Sequence, residues 1–154
     1  MASTSTNKQP LLIDHVLNYV VNLDLNTNAT INVDGANTAA LVIDATTSDG
    51  AIIEDLYLIS RGTSVIKVNY FLSTANDYLR PNQGFYIGSV ETGTTPGQIT
   101  SATLLKTLAP VPQVGSDSTN RALYIPRGTA LWAARESQVN ISDGPNLGVQ
   151  GGWY

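Results

Sequence analysis

Residues 11–25 read LLIDHVLNYVVNLDL, and the period of this stretch decides the fold class. Every odd position is apolar, aromatic or histidine: Leu11, Ile13, His15, Leu17, Tyr19, Val21, Leu23 and Leu25. The even positions include Asp14, Asn18, Asn22 and Asp24. A helix brings residues three and four apart onto one face and would mix the two sets. A strand points successive side chains to opposite faces and keeps them apart. At about 3.3 Å per residue such a strand would be unusually long, so a break into two strands or a passage between two sheets is expected.

The same alternation continues downstream. Strands are expected over 30–33, 39–44 (AALVID), 51–60 (AIIEDLYLIS) and 64–73 (SVIKVNYFLS). In the last of these, Ile66, Val68, Tyr70 and Leu72 line one face, with Lys67 and Asn69 on the other. Arg61-Gly62-Thr63 separates 51–60 from 64–73, which makes the two the strongest hairpin candidate. Further strands are expected at 85–91, 122–125, 129–134, 139–142 and 147–154, and at 99–108, where a strand is favoured over a short helix. Between them lie Gly-, Pro- and Asn-rich turn signals such as Arg80-Pro81-Asn82, Gly93-Thr94-Thr95-Pro96-Gly97 and Asp143-Gly144-Pro145. No amphipathic helix is legible. The expected architecture is all-β: a single-domain antiparallel β-sandwich, jelly-roll-like, over 11–154, with an extended N-terminal arm over 1–10 and an aromatic C-terminal tail.

Composition narrows the chemistry. Only 13% of the 154 residues are charged, 8 Lys or Arg against 12 Asp or Glu, where roughly 25% is usual. The apolar share is ordinary at 42%, so the missing charge is replaced by neutral polar groups: 12 Ser, 17 Thr and 13 Asn. The absence of cysteine removes disulfides, thiolate zinc sites and thiol nucleophiles. A net charge of −4 with scattered basic residues argues against nucleic acid as a partner. The stretch 11–25 is too often interrupted by Asp and Asn to span a membrane, and the N-terminus lacks the basic start and apolar run of a secretory signal. Synthesis in a cytoplasm, without an export signal of its own, is expected.

No catalytic set is selected by the remaining residues. His15 is the sole histidine, and its neighbour Asp14 points to the opposite face of a strand, so the pair cannot form an oriented triad. Glu54 and Asp55 diverge in the same way. Asp24, Asn26 and Asn28 resemble the start of a calcium loop, but the sixth and twelfth places hold Ala29 and Gly35 instead of Gly and Glu. The expectation is a chain that is not an enzyme, with no catalytic residue, cofactor or metal site.

Two segments point instead to contact with protein. The chain ends Gly148-Val149-Gln150-Gly151-Gly152-Trp153-Tyr154, and two terminal aromatics, each able to bury roughly 150–250 Å², should dock on their own sandwich or on a neighbour. Leu123-Tyr124-Ile125-Pro126-Arg127-Gly128-Thr129-Ala130-Leu131-Trp132 reads as strand, tight turn, strand. With these features the chain resembles the small β-sandwich virion proteins of tailed bacteriophages, which combine a Thr/Asn/Ser-rich, cysteine-free chain with a late strand–Pro-x-Gly-Thr–strand and a short aromatic end. Only 123–132 and 148–154 are motif-like. The resemblance implies a structural virion subunit whose partners are other capsid or tail proteins and copies of itself. The leading expectation is a capsid decoration (cement) protein, followed by a tail or adaptor component. The rival is a carbohydrate-binding receptor-recognition module, with a stacking platform drawn from Tyr19, Tyr57, Tyr70, Tyr78, Tyr86, Tyr124, Trp132, Trp153 and Tyr154. The candidate interface residues are Pro10, Leu11, His15, Trp153 and Tyr154.

Overall fold

A computed structural model of the chain describes residues 15–23, 39–77, 84–100, 122–136 and 143–153. They form two antiparallel β-sheets with no α-helix among the described residues, consistent with a β-sandwich. The strands are β1 (His15–Asn22), β2 (Ala40–Asp44), β3 (Gly50–Ile59), β4 (Lys67–Ser73), β5 (Gly84–Glu91), β6 (Ile99–Thr100), β7 (Leu123–Pro126), β8 (Ala130–Arg135) and β9 (Asn146–Trp153). The first sheet has the order β1-β9-β3, with β6 and β7 both pairing the far side of β3. The second has the order β2-β8-β4-β5.

The pairings are nested along the chain. β1 pairs β9, β2 pairs β8, β3 pairs β7 and β4 pairs β5, as in one long hairpin rolled up on itself. Rolling makes the chain alternate between sheets, and this corrects the expected hairpin of 51–60 with 64–73. Those segments are strands, but β3 lies in the first sheet and β4 in the second. Ser60 explains the divergence. Its buried hydroxyl donates to the carbonyls of Gly62 and Gly93, both at 3.0 Å, and its backbone exchanges bonds with Gly97 and Gln98, so the chain is anchored to the 92–98 loop before it can turn back. Pro126-Arg127-Gly128 is likewise a turn, and Gly128 takes the positive φ of 80° that it needs. It too links different sheets, since β7 and β8 belong to opposite layers.

The sequence alternation becomes the core. Leu17 of β1, Ile53, Leu56 and Leu58 of β3, Val68 and Tyr70 of β4, Leu131 of β8 and Val149 of β9 form one buried cluster that draws on both sheets. Of the odd positions of β1, Leu17 and Val21 pack in this layer, as the period of 11–25 predicts, while His15 and Tyr19 stay exposed; β1 spans only His15–Asn22, and 11–14 and 24–25 lie outside the described residues. The expected strands at 30–33 and 139–142, and 101–108 of the expected 99–108, also lie outside them.

Over β8 and β4 the second sheet is buried on its other face as well. Every residue of β8 is buried, and Ala39, Phe71, Ala130, Trp132 and Ala134 make a second apolar cluster. Leu41, Trp132, Phe71 and Tyr86 run in register across its four strands, with Phe71 and Tyr86 rings 5.8 Å apart. The Trp132 indole N–H donates to the Ala75 carbonyl at 3.0 Å. That loop is tied down by Asn76, whose amide reaches the Asp44 carboxylate at 2.9 Å.

Candidate functional site

The outer face of the first sheet is the counterpart that stays open. On β1 the even positions carry Val16, Asn18, Val20 and Asn22, all exposed; Val16 keeps 80% and Val20 52% of its surface in solvent. Register extends these into two rows. Val16 stands opposite Gly152, then Ile52 of β3, then Tyr124 of β7, which is exposed. Val20 stands opposite Gly148, then Tyr57. The two glycines leave gaps on β9. The Tyr57 ring fills one, lying where a Cβ on Gly148 would fall within 2.0 Å of it. The patch is apolar with tyrosines in it, the composition of an interface core. Its charge is confined to β3: a bulge leaves Glu54 out of register and exposed, and Asp55 stands opposite Gln150. That bulge also corrects the expectation of simple divergence, because it interrupts the alternation on which the divergence rested.

His15 and Trp153 are brought together: they are directly opposed at the end of the β1·β9 ladder. His15 is exposed, whereas Trp153 is half-buried against the core and also faces Ala51. The C-terminal tryptophan therefore docks on its own sandwich, the first of the two expected alternatives. Pro10, Leu11 and Tyr154 lie outside the described residues.

Of the aromatics named for a sugar-stacking platform, Tyr57 and Tyr124 share the open face of the first sheet. Tyr70 and Trp132 are buried, Tyr124 and Tyr86 are on different sheets, and Tyr78 and Tyr154 lie outside the described residues. Tyr19 reaches inward from its exposed position. Its hydroxyl donates to the Val42 carbonyl, and burial pushes its pKa up to about 12. Tyr70 is driven higher by the same cause, and its hydroxyl has no hydrogen-bond partner among the described residues. Burial also raises the Asp44 carboxyl, but bonds from Thr46 and Asn76 outweigh it and hold the group below its usual value.

Among the described residues no three His, Cys, Asp or Glu side chains gather as a metal site, and no helix is long and apolar enough to cross a membrane. Residue-by-residue reading missed Val16, Val20 and Ile52, and named Tyr57 and Tyr124 only as parts of a stacking platform. A signal was available: Val16 and Val20 sit at the even, nominally polar positions of 11–25, and Gly148 and Gly152 share their four-residue spacing. Comparison with family models, curated proteins and solved structures finds no match, so the face is interpreted from its own geometry.

Proposed function

We propose that this chain is a non-enzymatic structural subunit of a phage virion, a capsid decoration protein that works by packing against other protein. The observation that carries the reading is the asymmetry of the two outer faces. One buries Phe71 and Trp132 and leaves Tyr86 exposed at its β5 edge; the other presents Val16, Val20 and Tyr124 to solvent, with Ile52 half-buried between them. Exposed apolar rows of this kind mark contact surfaces. Neutral amides around them, such as Asn18, Asn22 and Gln150, lose less than charges do when a partner removes their water.

We further read the sandwich as jelly-roll-like. The orders β1-β9-β3-β7 and β2-β8-β4-β5 support this, since eight strands in two sheets with nested pairing make that architecture. Viral capsid domains use it, as do lectins and cupins, so the fold favours the virion reading by analogy and does not by itself select it.

The test is mass spectrometry of purified particles of the phage that encodes the chain. The proposal expects the protein in stoichiometric multiples in the head. Its absence from particles overturns the proposal, and its confinement to detached tails moves it to the adaptor reading.

A further inference from the structure

We infer that two copies of this chain join through β1, edge to edge and antiparallel, continuing the first sheet across a two-fold axis at Asn18. The inference rests on the packing reading above and names its first partner.

The edges of the two sheets are not alike. Exposed strand edges invite pairing with another chain, and proteins blunt them with bulges, proline, charge or brevity. Among the described residues, β5 carries a bulge between its partners for Tyr70 and Phe71, Gly88 at a φ of 144°, and Glu91 at its end. β2 carries a bulge at Val42 and ends in Asp44. β7 is four residues ending in Pro126, and β6 is two residues. β1 has none of these devices. It runs eight residues, HVLNYVVN, in unbroken register with β9, without proline or an acidic or basic residue other than His15.

The sequence of β1 also selects the occupant. Centred on Asn18, an antiparallel second copy sets Val16 against Val20 and Leu17 against Tyr19, in both directions. Both valine pairs fall on the open face, where Gly152 and Gly148 give the valines no side-chain neighbour on β9. Moving the centre by one residue sets valine against asparagine on that face. A chain of net charge −4 repels its own copies, and a contact along this uncharged row brings no carboxylates together.

The chain contains no cysteine, so Asn18→Cys introduces a single thiol. Directly opposed residues of an antiparallel pair have Cα atoms roughly 4.5–5.5 Å apart, within disulfide range. The full chain should sediment as a dimer. Under mild oxidation Asn18→Cys should form covalent dimer on the order of a hundredfold faster than Thr63→Cys, an exposed loop control, because pairing raises the effective thiol concentration. Val16→Lys with Val20→Lys sets cations opposite each other in both valine pairs and should give a monomer with an unchanged circular dichroism spectrum. Equal cross-linking of the two cysteine variants overturns the inference, as does a monomeric wild type or an oligomer that survives the double lysine variant. Should particles contain the protein while these results go against pairing, the pairing alone is wrong and the virion reading stands.

Discussion

The Tyr19 hydroxyl donates a hydrogen bond to the carbonyl of Val42, the residue that the β2 bulge leaves out of register. One contact thus fastens the edge of the first sheet to the edge of the second. It gives a partner to the backbone oxygen of the bulge residue, and such groups are costly to leave unpaired.

Tyr19→Phe should destabilise the fold by about 1 kcal/mol in urea titrations at neutral pH. Alkali gives a second readout. A tyrosine that ionises near 10 in the unfolded chain but near 12 in the folded one contributes stability that is complete below pH 10. That stability is lost as pH rises from 10 to 12. Tyr70 adds to the loss in the same direction. The melting temperature of the wild type should fall over that window, and Tyr19→Phe should flatten the fall. An unaltered slope would mean that Tyr70 carries the whole effect.

Two glycines of β9 should respond differently to alanine. The three atoms nearest a Cβ at Gly148 all belong to the Tyr57 ring, a side chain that can swing into solvent, so Gly148→Ala should cost about 1 kcal/mol. A Cβ at Gly151 falls 2.1 Å from the Ile52 carbonyl oxygen and 2.9 Å from the Ile53 Cα, backbone atoms beside the β3 bulge. They cannot move without breaking the ladder, so Gly151→Ala should cost about 3 kcal/mol. Chemical denaturation of the two variants side by side checks the order.

Trp132 anchors the closed face. Trp132→Ala removes a buried indole from between Leu41 and Phe71 and should cost about 3–5 kcal/mol. Trp132→Phe keeps much of the packing and leaves the Ala75 carbonyl without its donor, for about 1–2 kcal/mol. Tryptophan fluorescence of the wild type should be dominated by this buried, blue-shifted indole.

Much of this architecture was legible in residue order, and the reasons are local. Period two in His15–Val21 placed the inward set on β1, because one buried face is enough to fix alternation. Turn residues placed Pro126-Arg127-Gly128 between two strands. Sheet membership was not legible, because a short connection such as Arg61 to Ile66 serves a hairpin or a crossing between layers equally well. The crossing is decided by Ser60, whose partners Gly93, Gly97 and Gln98 lie more than thirty residues away. The open face was hidden for a related reason. Val16 and Tyr124 are far apart in the chain and become neighbours in one row only through β9 and β3.

That open face carries the account, and binding to particles tests it most directly. Particles stripped of this protein would be titrated with wild-type chain and with a variant combining Val16→Ser and Tyr124→Ser, two exposed changes expected to leave the core intact. Saturable uptake of the wild type, with the variant bound at least about tenfold more weakly at an unchanged melting temperature, is the predicted result. Equal uptake of both chains would contradict it.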